Sequence, residues 1–274
     1  MQQYVGEEKD EKESFGDTNI VNNKIAVVGG TEITASITSY LKKRNIQQIE
    51  FRTAMFDMDG ILFDSMKNHA KCWHETMKHF GMHLPTEEAY MHEGRTGTST
   101  VNLVSMRQRG VKESEERIQE IYKVKSALFN EFPPAEPMPG ALELLHKLQA
   151  QGLKILIVTG SGQHSLLDKL NHHYPGIFCR ELMVTAFDVK YGKPNPEPYL
   201  MGMQKGKLTP EECIVVENAP LGVRAAKAAG IFTVAVNTGP LPDNALTDEG
   251  ADLLFPSMQA LCDEWEKLSA SFDK

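Results

Sequence analysis

The sequence predicts an α/β fold: a parallel sheet covered by helices on both faces, with an all-helical insert after the first strand. Three observations carry this. Five short apolar runs, residues 51–57, 155–159, 182–185, 213–216 and 232–236, read as continuously buried strands, not as alternating half-buried ones. Helical patterns lie between several of them. From Met66 to about Phe132 the alternation stops and only helical periodicity remains.

Taken in order, residues 1–22 are acidic and polar, with almost no core formers, and read as a disordered or loose tail. Residues 23–50 form an accessory segment. Its apolar run KIAVVGG (Lys24–Gly30) precedes a helix expected over Thr31–Arg44. A strand, two glycines and a helix suggest a nucleotide-binding βα unit, yet the full GxGxxG spacing is absent. The other reading is an accessory helix packed on the main domain. The α/β core is expected over 51–65 and 138–274, and the helical cap over 66–137. In the cap, Met66, Ala70, Trp73, Met77 and Phe80 share one helical face. A second helix, Ser114–Phe129, carries Ile118, Ile121, Tyr122 and Leu128 on its apolar side. The segment PPAEPMPG (Pro133–Gly140) reads as a hinge back to the core. Leu142, Leu145 and Leu148 then repeat at helical spacing before Gly152, and an alanine-rich helix stops at Gly230.

Composition limits the function classes. The 274 residues are 41% hydrophobic and 24% charged, as in a globular protein with a full core. A net charge of −8 argues against nucleic acid as a partner. An anionic substrate then needs a local positive site. Cys72, Cys179, Cys213 and Cys262 are scattered without CxxC spacing, which suits reduced thiols in the cytoplasm. No apolar run approaches the ~20 residues that span a bilayer, and the polar N-terminus is no secretory signal.

Four motifs end apolar runs with chemistry-bearing residues. FDMDGILFDS (Phe56–Ser65) sets Asp57 and Asp59 together, a pair that needs a cation or a proton nearby. ILIVTGSG (Ile155–Gly162) offers Thr159, Ser161 and free backbone N–H groups to a phosphate. YGKPNPEPY (Tyr191–Tyr199) places Lys193 in a proline-stiffened turn, where it can stand between carboxylates and phosphate. IVVENAPLG (Ile214–Gly222) supplies Glu217 and Asn218, which could complete an octahedral metal site. Alone, each has a plain reading: an Asp-Gly turn, a helix cap, a solvated loop lysine, another cap.

Together and in this order, the motifs resemble the haloacid dehalogenase superfamily, specifically its β-phosphoglucomutase-like branch, over about residues 51–262. The resemblance implies a Rossmannoid core with an inserted α-helical cap and Mg²⁺ as cofactor. It implies Asp57 as the nucleophile that forms an aspartyl-phosphate. Asp59 becomes the general acid/base, its backbone carbonyl also reaching the metal. Thr159 holds the transferring phosphoryl group, and Lys193 neutralises its oxygens and Asp57. Glu217 and Asn218 join Asp57 and Asp59 around Mg²⁺. The family pattern has Glu-Asp where this chain has Glu217-Asn218. Asparagine keeps a carbonyl oxygen but removes one negative charge, so Glu217 is expected to take a larger share of the ligation.

On the substrate side, Ser65 and His69 match cap-hinge and catalytic-support positions of sugar-phosphate mutases, and Trp73 an aromatic one turn on. Gly97 falls where a mutase has a phosphate-binding arginine, with Arg95 as a possible substitute. Gly162-Gln163 stand in place of Lys-Asn. The second phosphate site therefore looks incomplete, and hydrolysis of a small phosphate ester is favoured over mutase chemistry. The loop Glu93–Thr100 is expected to face the substrate, with Arg95 as its anion contact. Dehalogenation is disfavoured by Asp59, Gly60 and the metal-type fourth motif. A non-catalytic phosphate-binding module draws support from Asn218 alone. The expected partner is a small phosphorylated metabolite, with no nucleic acid or membrane, acting on a cytoplasmic monomer or weak oligomer.

Overall fold

In the computed structural model, which describes residues 30–162 and 166–272, six strands pair in parallel. They are β1 (Thr53–Phe56), β2 (Lys154–Val158), β3 (Met183–Val184), β4 (Cys213–Glu217), β5 (Phe232–Val236) and β6 (Leu253–Phe255), in the spatial order β3-β2-β1-β4-β5-β6. The α/β class and parallel sheet are those expected. β6 adds a strand beyond the five runs read from the sequence.

The strands are apolar throughout because both faces are covered. Ala54, Phe56, Ile155, Ile157, Ile214 and Val216 enter one core layer, while Met55, Leu156, Val158 and Val215 enter the other. The first layer is closed by α1 (Gly30–Arg44), α6 (Ala141–Ala150), α7 (Leu166–His173) and α11 (Met258–Phe272). The second is closed by α8 (Glu197–Gly206) and α9 (Pro220–Ala228). In α6 the buried positions are Ala141, Leu144, Leu145 and Leu148, whereas Leu142 is on the exposed side, one step off the expected stripe. Helix α1 packs on the sheet layer: the Tyr40 ring meets Phe232 edge-on at 5.4 Å, and its hydroxyl donates to the Gly230 carbonyl at 2.8 Å. The tail and the apolar run preceding Gly30 lie outside the described residues, as does Gln163.

The insert is four helices: α2 (Met66–His79), α3 (Thr86–Met91), α4 (Gly97–Arg109) and α5 (Glu115–Asn130). They share a core of Ala70, Met77, Phe80, Val101, Val104, Ile118 and Ile121. The segment Glu93–Thr100, expected as a loop, is half helix. Thr96 accepts a hydrogen bond from the Ser99 N–H and caps α4, so Gly97 to Thr100 form its first turn. The chain crosses between core and cap twice, and the crossings are tied: Asp64 N–H donates to Glu136 O at 2.9 Å and Met138 N–H to Leu62 O at 2.8 Å.

From central β1 the connections run first toward β2 and later back toward β4, a switch point whose crevice opens at the strands' carboxyl ends. Among the described residues no helix is long and apolar enough to cross a membrane.

Candidate active site

Register fixes the centre of the site. Phe56 pairs with Ile157 on one side and Val216 on the other, so Asp57, Thr159 and Glu217 emerge together at the strand ends. Lys193 lies among them, 2% exposed. Its ammonium reaches Asp57 Oδ1 at 2.5 Å, Glu217 Oε1 at 2.6 Å and the Val158 carbonyl at 3.0 Å, which uses all three of its donors. Burial alone would lower the Lys193 pKa, but Asp57 and Glu217 outweigh it and hold it well above the ordinary value. Burial pushes the Asp57 carboxyl up to about 7; Lys193 opposes the rise, and Glu217 and Asp59 add to it.

Glu217 does not face the cavity. Its Oε1 also accepts from the Tyr199 hydroxyl at 2.8 Å, and its Oε2 accepts the N–H groups of Asn218 and Ala219 at 3.0 and 3.1 Å. Gly222 is what allows this pocket, since a Cβ there would stand 1.8 Å from Glu217 Oε1. The carboxylate is thus occupied in fixing Lys193, and the larger share of metal ligation expected for Glu217 has no free oxygen to supply it.

Asp59 is served from the hinge and the cap. Ser65 Oγ donates to Asp59 Oδ1 at 2.5 Å, and His69 Nε2 lies 3.3 Å from the same oxygen. Ser65, expected at the substrate, is fully buried and spends its hydroxyl on Asp59. His69 stacks on Phe129 with centroids 4.2 Å apart, and its Nδ1 meets Lys125 Nζ at 2.8 Å. An ammonium only donates, so Nδ1 accepts and the ring proton is on Nε2, aimed at Asp59. Burial alone would raise the Asp59 pKa; His69 and Ser65 outweigh it and keep the carboxyl well below its usual range.

Lys125 was not singled out by the sequence, where it reads as one charge on an amphipathic helix. It is buried beneath the rings of Trp73, Tyr122 and Phe129. Burial pushes its pKa from 10.5 down to about 8, Asp59 and Cys72 opposing. Below pH 8 the folded protein bears the full cost of that charge, about 3 kcal/mol. Between about pH 8 and 10.5 the folded state releases a proton that the unfolded chain keeps, so stability rises with pH. Lys125→Met is therefore expected to raise unfolding free energy at pH 7 by about 1–2 kcal/mol, after the lost bond to His69, while lowering kcat. Denaturant melts across pH test this: the gap to wild type should close toward pH 10.5, and a destabilised variant at pH 7 refutes it.

The cap loop lies against the core. A Cβ on Gly94 would come within 2.8 Å of the Lys193 side chain, and one on Gly192 within 2.8 Å of Thr96. Glu93, given no separate role in the sequence, reaches Asn218: its Oε1 and Oε2 accept from Asn218 Nδ2 at 3.1 and 3.0 Å. Burial holds the Glu93 carboxyl well above its usual range, and Asp57, Glu217 and Asp59 add to the rise. Asn218 is 7% exposed, and its Oδ1 is buried with no hydrogen-bond partner. Gly60 (φ +85°) accommodates Asn218, since a Cβ there would overlap the amide at 2.1 Å. An orphaned hard oxygen on an amide packed against the Gly60 turn that follows Asp59 fits the donor set of a magnesium ion.

Asp57, Asp59, His69, Arg95, Thr159 and Ser161 line one cavity between cap and core. Arg95 bonds Ser99 Oγ at 3.1 Å and leaves its buried Nε unpartnered. The Ser161 N–H donates to Thr159 Oγ1 at 3.1 Å. The geometry joins three strand-end motifs and the Lys193 turn, which lies in the loop between β3 and α8, into one centre, under a helical lid that contributes its own charged groups.

These features define a class. The family model described as haloacid dehalogenase-like hydrolase matches residues 54–236, and the chain belongs to that family. It is 33% identical over 183 residues to Hexitol phosphatase A of Escherichia coli (strain K12), covering 67% of this chain and 82% of that one. It is 30% identical over 190 residues to Validoxylamine A 7'-phosphate phosphatase of Streptomyces hygroscopicus subsp. limoneus, covering 69% and 86%. Among solved structures it is similar to one described as "Putative beta-phosphoglucomutase from Bacteroides vulgatus", with 56% identity, a TM-score of 0.88, and coverage of 90% of this chain and 100% of that one.

Proposed function

We propose that this chain is a Mg²⁺-dependent phosphatase that hydrolyses a small phosphate ester, such as a sugar phosphate, through an aspartyl-phosphate on Asp57. The observation that carries this is the placement of Asp57: buried, fixed through Oδ1 by Lys193, at the floor of a cavity that also holds Asp59 and Thr159. With Lys193 on Oδ1, attack on phosphorus falls to Oδ2. The ester P–O bond breaks, and Asp59 gives its proton to the leaving oxygen. Asp59 is ionised in the empty site, and an arriving phosphate dianion raises its affinity for that proton. In the second half, Asp59 takes a proton from water as the water attacks phosphorus, which releases phosphate and restores the Asp57 carboxylate. Asp57, the Asp59 main-chain carbonyl and Asn218 would hold Mg²⁺. When bound, it would neutralise the phosphoryl oxygens and orient them.

Water as the acceptor is favoured by the position where a mutase needs its arginine. Gly97 has no room for a side chain, since a Cβ there would lie 2.5 Å from the Tyr122 ring. The relatives named as phosphatases agree with this reading. β-Phosphoglucomutase is the alternative, supported by the unpartnered Nε of Arg95 as a cation for a second phosphate and by the Bacteroides vulgatus likeness. Product analysis on a sugar-phosphate panel that includes β-glucose 1-phosphate, with and without glucose 1,6-bisphosphate, separates them. Free phosphate is expected; glucose 6-phosphate without net phosphate release overturns hydrolysis.

A further inference from the structure

Three carboxylates, the buried Asp57 and Glu217 and the part-buried Glu93, crowd the Asn218 turn, and Lys193 bonds the first two. Asp59 has its own partners in Ser65 and His69, with the Lys125 ammonium behind His69 to balance its charge. Three negative charges against one positive leave an excess of two, the charge of one divalent cation. A proton on Glu93 would relieve part of the excess. It would leave the buried Asn218 Oδ1 unsatisfied as that amide is oriented, however, and a buried acceptor without a partner costs about 1–3 kcal/mol. A hard divalent cation answers both needs at once.

We propose that Glu93 supplies, from the cap, the negative charge that Asn218 lacks, so that the cation site is completed only when the cap lies on the core. The inference rests on the metal dependence proposed above. Both Glu93 oxygens touch the Asn218 amide, so the charge enters the site beside the one core position where the family's acidic pair is broken. The same contact latches the cap loop to the strand end, and cation binding and cap closure thereby draw on the same bond. A substrate that enters before closure meets a site short of one charge. A cation bound after closure is walled in by Glu93.

The test is Mn²⁺ binding, read by electron paramagnetic resonance of the free ion, on the full-length wild type, Glu93→Gln, Asn218→Asp and the double variant. Thermal melts confirm that each is folded. Glutamine keeps an acceptor for Asn218 and removes only the charge. Glu93→Gln is expected to weaken Mn²⁺ binding by about 10- to 100-fold, and adding Asn218→Asp to it should recover most of the loss. Asn218→Asp alone should bind at least as tightly as wild type. If wild type binds Mn²⁺ and Glu93→Gln binds it equally well, Glu93 is a latch only and the inference fails while the metal reading stands. If the double variant stays as weak as Glu93→Gln, the charge exchange is refuted. If wild type itself binds no Mn²⁺, the metal reading falls and takes this inference with it.

Discussion

Asp57→Asn is expected to fold like the wild type and to lose turnover by about ten-thousand-fold or more, the scale on which removal of a covalent nucleophile acts. Asparagine is isosteric and still accepts the Lys193 bond through its carbonyl oxygen, so the Lys193–Glu217–Tyr199 arrangement has no reason to collapse. What disappears is the second anionic oxygen, the one left to attack phosphorus. Substrate affinity should survive, because the cavity walls, Thr159 and Arg95 are untouched. Calorimetric binding of a substrate identified on the panel, beside its turnover, separates the two effects. Residual activity within about a hundredfold of wild type, roughly 3 kcal/mol of barrier, would place the nucleophile elsewhere. Loss of the fold would show that Asp57 acts structurally.

Lys193→Met is expected to damage stability as well as turnover. The wild-type ammonium neutralises two carboxylates that are at most 4% exposed and caps a strand-end carbonyl. Removing one partner of a buried ionic cluster leaves uncompensated charge and costs about 3–5 kcal/mol. Urea unfolding at pH 7 checks the figure, and a variant as stable as wild type refutes it. Lys193→Arg should not rescue. A Cβ on Gly94 would already stand 2.8 Å from the lysine stem, and a planar guanidinium is wider than an ammonium. The two variants thus differ in kind: Asp57→Asn removes the reaction and leaves the scaffold, whereas Lys193→Met removes a charge on which both depend.

The strands that matter most were legible because burial on both faces leaves an unmistakable run of apolar residues, and because each run ends abruptly in a polar side chain. Asp57, Thr159 and Glu217 could be picked out on that basis, whereas Lys193, well beyond the run that ends at Thr185, was found through its proline-stiffened turn. What escaped were pairings made across long stretches of chain. Lys125 looks like any lysine on α5 until α2 brings His69 against it. Glu93 is one acid in a polar stretch until the cap sets it on Asn218. The direction of Glu217 depends on Tyr199, eighteen residues away from it and on another element. Helix α4 is masked by its threonines and serines, whose hydroxyls cap and bridge. Local pattern reveals elements and their ends; it does not reveal which charged groups face each other.

The hinge has a consequence for how such a protein can diversify. Asp59, Ser65 and His69 belong to one uninterrupted segment that leaves β1, passes the tied crossings and enters α2, and Lys125 on α5 closes the set. If Asp59 carries the proposed proton transfer, half of the cap is tied to that chemistry, whereas α3 and α4 make none of those contacts. Substitutions in α3 and α4 are therefore expected to leave the bonds that hold Asp59 in place, whereas those in α2 and α5 disturb them, so the two halves of the lid offer different freedoms to change.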